Sequence, residues 1–119
     1  IYSYEKALEY DPDNFTIIKN LALLYLETNQ FETAVLFTNN QMELYPSQPI
    51  LYLVNGTANK QLDHLDMAIE TLSMGLDYIY DNKKLQHDFY RQLSTTFQLQ
   101  GNIEASETFT KKAMTLENN

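Results

Sequence analysis

A spacing of 34 residues runs through the chain: Pro12 recurs as Pro46, Ala34 as Ala68, Ala22 as Gly56, and Leu8 as Met42 and then Leu76. Self-similarity at that period implies one short supersecondary unit stacked on copies of itself, because such a unit cannot bury its apolar face alone. Function is then expected on the surface that the stack creates. Inside one period, Ile17, Ile18, Leu21, Leu24 and Tyr25 fall at helical spacing, and Phe31, Ala34, Val35 and Met42 resume the pattern after a break at Thr28-Asn29-Gln30. The unit is therefore two short helices joined by a tight turn. Asp11-Pro12-Asp13-Asn14 and Tyr45-Pro46-Ser47-Gln48-Pro49 separate successive pairs, since proline cannot continue a helix while Asp, Asn and Ser cap a new one. This pattern predicts helices near 1–10, 14–28, 31–44, 48–61, 65–80, 84–100 and 103–116.

These residues resemble the tetratricopeptide repeat (TPR) family, whose signature is a large aromatic, Leu-Gly and Tyr on the first helix, then Ala, an aromatic and Pro on the second. One repeat reads Ile18, Leu21-Ala22, Tyr25, Ala34, Pro46; the next reads Tyr52, Asn55-Gly56, Asn59, Ala68, with Tyr80 in place of the proline. The last reads Tyr90, Leu93-Ser94, Phe97, then Gly101, Ile103, Ser106 and Ala113, while Tyr4, Ala7 and Pro12 form the second half of a preceding repeat. The resemblance implies an all-α fold, a right-handed α-solenoid of antiparallel helix pairs. It divides the chain into 1–13, a trailing half-repeat, and repeats at 14–47, 48–82 and 83–119. The start within a repeat is expected of an excerpt from a longer protein. Ala22, Gly56 and Ser94 are expected where paired helices approach most closely, with Ala34, Ala68 and Ser106 as small partners opposite them.

The chain departs from the pattern in three places. Leu76 to Met114 spans 38 residues rather than 34, so four residues, about one helical turn, are added before Tyr90. Leu76-Asp77-Tyr78-Ile79-Tyr80 is apolar enough to extend the second helix of the 48–82 repeat, with Asp81-Asn82 as the break. A similar stretch rich in Tyr, Asp and Asn is a point of resemblance to TPR segments of bacterial cell-envelope or lipoprotein-type proteins. Next, Asn55 and Asn59 stand where the flanking repeats have Leu21 with Tyr25 and Leu93 with Phe97. Either they hydrogen-bond other groups between helices, or they line a polar pocket that holds peptide amides. Finally, Tyr2 and Tyr4 at one end, and Met114 and Leu116 at the other, are candidates for exposed repeat faces that a self-association contact would cover.

Sixteen acids against eight bases give a net charge of -8, which repels phosphate backbones and speaks against general nucleic-acid binding. No apolar run approaches the about 20 residues of a membrane-spanning helix, and the first residues lack the basic start and apolar centre of a secretion signal. A soluble protein without direct membrane insertion is expected, cytoplasmic or periplasm-facing, with room for a signal or anchor outside this excerpt. With no cysteine, disulfides, thiolate metal sites and cysteine nucleophiles are absent.

The resemblance also implies where a partner would bind, namely the concave surface lined by the first helix of each pair. That places Thr16, Lys19, Asn20, Leu23, Leu26 and Glu27 from one repeat, Ile50, Leu53, Val54, Thr57 and Lys60 from the next, and Asp88, Arg91, Gln92, Thr95 and Gln98 from the last. An apolar strip with three bases, Lys19, Lys60 and Arg91, against two acids, Glu27 and Asp88, suits a peptide or protein carrying acidic groups. The same bases would also sit comfortably on a merely solvated face. The carboxylate clamp of chaperone-binding TPR domains is not expected, because Leu23, Val54 and Asp88 replace two of its Asn and one of its Lys residues.

Catalysis and cofactors are not expected. His64 and His87 are isolated from metal-ligand spacing, and Gly56, Gly75 and Gly101 form no phosphate-binding cluster. Asp63 with Asp66 and Glu104 with Glu107 suit helix N-termini as charges that complement the macrodipole. Asn14-Phe15-Thr16 and Asn55-Gly56-Thr57 match the N-glycosylation pattern, the second inside an expected helix. Tyr25, Tyr52 and Tyr90 fall at core spacing, whereas Tyr78 and Tyr80 are equally suited to a partner surface. The expected function is a non-enzymatic interaction scaffold; the alternatives are a spacer or self-association segment in a longer array, or a positioning module of a larger enzyme.

Overall fold

A computed structural model describes residues 1–118, and within them the chain forms seven helices: α1 (Tyr2–Tyr10), α2 (Phe15–Glu27), α3 (Phe31–Leu44), α4 (Pro49–Gln61), α5 (Leu65–Leu76), α6 (Lys83–Gln100) and α7 (Ile103–Glu117). Asn119, the last residue of the 83–119 unit, lies outside the described residues. The cap expected in the 11–14 segment is Asn14, and Asn82 and Asn102 cap two further helices, whereas α4 has no side-chain cap. Asn14 accepts hydrogen bonds from the Thr16 and Ile17 amides, Asn82 from the Leu85 amide and Asn102 from the Ala105 amide. Pro49 opens α4, where its missing N–H costs nothing.

The turns inside the pairs share one geometry. Asn29, Asp63 and Gly101 occupy the same repeat position and all adopt positive φ, at 60°, 65° and 90°. After each, the next amide reaches back five residues: Gln30 to the Tyr25 carbonyl, His64 to Asn59 and Asn102 to Phe97, at 2.8, 2.9 and 2.9 Å. This is a Schellman closure, and it folds the second helix back on the first.

Packing follows from the small residues. At Gly56 a Cβ would lie 2.6 Å from Leu72 Cγ, so only a residue without one lets α4 and α5 come this close. Ala22, Ala34 and Ala68 are fully buried, and Ser94 is buried while its hydroxyl bonds the Ser106 carbonyl and Thr110 Oγ1. Each of α3 and α5 packs against its own first helix and the next one. α2 also touches α4, and α4 touches α6, whereas no two of α1, α3, α5 and α7 are in contact. Helices that meet on one side and spread on the other bend the array, with α2, α4 and α6 on the concave side.

Two expectations are corrected. The helix expected over 65–80 ends at Leu76, and residues 77–82 form the connection instead. The added turn lies on the following helix: Tyr90 is the eighth residue of α6, whereas Ile18 and Tyr52 are the fourth residues of α2 and α4. Asn82 caps α6 at that point, and Tyr78 folds back onto Tyr52 with ring centroids 5.4 Å apart, which holds the connection down without a helix. Val54, placed on the concave face by the repeat pattern, is fully buried in the core with Leu21, Ala22, Tyr25, Ala34 and Ala58.

Asn55 and Asn59 are resolved in favour of internal bonding. Asn55 Nδ2 donates to Thr38 Oγ1 and Asn39 Oδ1 at 3.0 and 2.9 Å, and Asn59 Nδ2 donates to Asn55 Oδ1 at 2.8 Å. His64 Nδ1 lies 3.2 Å from Asn59 Oδ1, so an amide chain runs from the α4–α5 turn through the buried side of α4 to α3. Both amides are buried and satisfied, as low-dielectric packing requires.

Candidate functional site

The inner helices α2, α4 and α6 present one continuous depression of about 350 Å³, lined by Leu26, Leu53, Thr57, Lys60, Asp88, Arg91, Gln92 and Thr95. Each is placed by helical period: Leu53, Thr57 and Lys60 share one stripe of α4, and Asp88, Arg91, Gln92 and Thr95 one stripe of α6. Leu26 and Leu53 form the apolar floor and are half-buried, while Arg91 and Thr95 stand exposed on the rim.

Lys60 is the electrostatic centre of the depression. Its ammonium crosses from α4 to α6 and donates to Gln92 Oε1 at 2.7 Å and to Thr95 Oγ1 at 3.3 Å. Burial lowers its pKa from the ordinary lysine value, because desolvation disfavours the charged form, and among the described residues no carboxylate pairs with it. Arg91 likewise has no ion-pair partner among the described residues. The nearby acid, Asp88, is held by Lys84 at 3.4 Å. Two cations beside an apolar floor, with the local carboxylate engaged elsewhere, form a surface suited to an anionic group on an amphipathic ligand.

Other expected site residues are distributed differently. Asn20, Leu23 and Glu27 line a separate cleft of about 220 Å³ with Tyr4 and Leu24, between α1 and α2. Lys19 and Thr16 are exposed on α2 and line neither cavity. Gln98 lines a third depression, between α6 and α7, with His87, Arg91, Ser94, Thr95 and Glu117 among its walls. Tyr4 and Leu24 were not legible as site residues: Tyr4 stands out in sequence only as an end residue, and Leu24 only as part of an apolar stripe.

Both histidines are engaged by side chains of neighbouring segments. His64 is engaged with Asn59, and His87 Nε2 sits 2.7 Å from Glu117 Oε1. Among the described residues no three His, Cys, Asp or Glu side chains gather as metal ligands, and no helix is long and apolar enough to cross a membrane. Of the two tyrosines beside the insertion, Tyr78 packs on Tyr52 while still partly exposed, and Tyr80 is exposed.

A family model described as tetratricopeptide repeat matches residues 3–35. No curated protein matches the chain in sequence. Among solved structures, a crystal structure of MamA aligns with a TM-score of 0.82 at 20% identity, covering 97% of this chain and 65% of that one. The 41-end MamA of Desulfovibrio magneticus RS-1 aligns with a TM-score of 0.81 at 18% identity, over 97% and 63% of the two chains. A MamA structure labelled AMB-1 gives 0.79 at 23% identity, over 97% and 66%. The chain thus spans slightly under two thirds of the length of these structures, and at such identities the likeness is one of fold.

Proposed function

We propose that this chain, an all-α solenoid whose residues 3–35 match the tetratricopeptide-repeat model and whose fold is shared with the MamA structures, is a protein-interaction scaffold whose concave surface binds a peptide or partner protein carrying acidic groups. The observation that supports this most is the pairing of Lys60 and Arg91, both without a carboxylate partner among the described residues, above the floor formed by Leu26 and Leu53. A half-buried ammonium held by two neutral acceptors gains a counter-charge when an acidic side chain arrives, and the apolar floor supplies burial for a neighbouring side chain. The proposed contact surface comprises Leu26, Leu53, Thr57, Lys60, Arg91, Gln92 and Thr95, continued toward α1 by Asn20, Leu23 and Glu27, with Lys19 on the exposed flank. The division into repeats at 14–47, 48–82 and 83–119, behind the half-repeat 1–13, belongs to the same proposal.

Affinity capture from a lysate of the source organism tests it. The chain is compared with Lys60→Glu/Arg91→Glu and with Lys19→Glu, each confirmed as folded by circular dichroism. A partner retained by the chain and by Lys19→Glu, but lost by the double variant, supports the depression as the binding site. Equal capture by all three contradicts it.

A further inference from the structure

Charge is divided unequally along the array. Of the sixteen acids, twelve precede residue 83, while five of the eight bases, Lys83, Lys84, Arg91, Lys111 and Lys112, lie on α6 and α7. Four of these bases frame one surface. A notch of about 340 Å³ is lined by Tyr90, Lys111, Lys112, Thr115 and Leu116, and an adjoining one of about 210 Å³ by Lys83, Lys84, His87, Leu116 and Glu117. Leu116 belongs to both, so the two form a single apolar trough bordered by lysines. Lys112 lies over the Tyr90 and Phe109 rings at 5.8 and 5.2 Å, which keeps its charge at the trough, whereas Lys83 and Lys111 have no ion-pair partner among the described residues.

The complementary feature lies at the other end of the array. The last residues of α1 and the connection to α2 present Glu9, Asp11 and Asp13 around Tyr10, which is 95% exposed; Glu9 is paired with Lys6 at 3.4 Å, on the exposed surface. A tyrosine that projects almost entirely into water among three acids matches an apolar trough among lysines in both shape class and sign. Neither α1 nor α2 touches α6 or α7, and the molecule is 46 Å long, so the two features do not meet within one chain. We propose that they meet between chains: the Tyr10 turn of one copy seats in the Tyr90–Leu116 trough of a second copy, in a head-to-tail contact.

Used once per pair of copies, a contact between two different patches is heterologous: it leaves one turn and one trough free, so association continues past the dimer into an open series or a closed ring. The net charge of -8 opposes association at long range, but at physiological salt screening acts within about 8 Å and confines the balance to the facing patches. The contact uses none of the residues that line the α2–α4–α6 depression except by sharing helix α6.

Sedimentation equilibrium of the 119-residue chain across rising concentration tests the inference, with two charge reversals chosen to spare the helix caps and existing ion pairs of the trough. Glu9→Lys/Asp13→Lys inverts the turn, and Lys83→Glu/Lys111→Glu inverts the trough; circular dichroism verifies that both fold. The chain alone is expected to show an average mass that grows with concentration past that of a dimer. Each variant alone is expected to have its dissociation constant raised about tenfold or more, since like charges then face each other. An equimolar mixture of the two variants regains association, because the trough of the first and the turn of the second are unaltered. A chain that stays monomeric at all concentrations overturns the inference, as does a mass that stops at the dimer, or association that both reversals leave unchanged.

Discussion

Gly56 shows how much one missing atom can fix. A Cβ there would strike Leu72 at 2.6 Å, and at Gly75 it would lie 2.5 Å from Tyr52 Cβ and 2.6 Å from Phe89. Gly56→Leu is expected to destabilise the fold by about 1–3 kcal/mol, as overpacking does, and Ala34→Leu and Ala68→Leu to lower the melting temperature clearly. Lys19→Glu, on an exposed flank, should leave it nearly unchanged; thermal denaturation by circular dichroism compares all four. Gly56 was legible in sequence because it stands at the repeat's small position. Gly75 was not, because the close approach there is made jointly by Tyr52 of α4 and Phe89 of α6, and the distance between those helices is not set by the period. Tyr25 is a second residue whose context decides its chemistry. Its hydroxyl donates to Glu5 Oε2 at 2.6 Å, and desolvation, helped by that bond and by the Glu5 charge, pushes its pKa up to about 12. The folded state therefore holds the phenolic proton more tightly than the unfolded chain, so this stabilisation is fully present below pH 10 and is lost as pH rises toward 12. Urea midpoints measured across that window should fall more steeply for the native chain than for Tyr25→Phe.

Among the elements, α6 differs most from its counterparts. Its additional N-terminal turn absorbs the four inserted residues while keeping Leu93 and Phe97 facing the core, since one turn nearly restores the helical phase. Asn82 fixes where that turn begins, and Asn82→Ala should cost about 1 kcal/mol, read as a shift in the denaturation midpoint without change in its slope. The insertion's length was visible from Leu76 and Met114, but its location was not. Apolar residues at Tyr78, Ile79 and Tyr80 favour continuing α5, yet Tyr78 gains more by packing on Tyr52 across the connection, a tertiary contact that local pattern does not contain. The amides of α4 illustrate the same limit from the other side. Their burial followed from period, whereas the partners Thr38, Asn39 and His64 come from two neighbouring segments.

Over the whole molecule, stacking at a 34-residue period accounts for the bend, and the bend accounts for the depression shared by α2, α4 and α6. Repeat spacing made the first of these legible. The family resemblance placed Leu26, Leu53, Thr57, Lys60, Arg91, Gln92 and Thr95 on one surface, but did not imply that Lys60 would turn onto Gln92 and leave Asp88 to Lys84. Side-chain pairing of that kind depends on distances between helices, which period alone does not set. The central claim is that this depression receives an acidic, amphipathic ligand, and nuclear magnetic resonance titration of the isotope-labelled chain with a peptide alternating Leu and Glu tests it most directly. Amide shifts are expected to concentrate on α4 and α6 around Lys60 and Arg91, and to be abolished by Lys60→Glu/Arg91→Glu. Affinity is also expected to decline as pH rises, beginning below the ordinary lysine value of 10.5, because burial has already lowered the pKa of Lys60. Shifts confined to α7 and the Tyr90–Leu116 trough, or none at all at millimolar peptide, would contradict that claim.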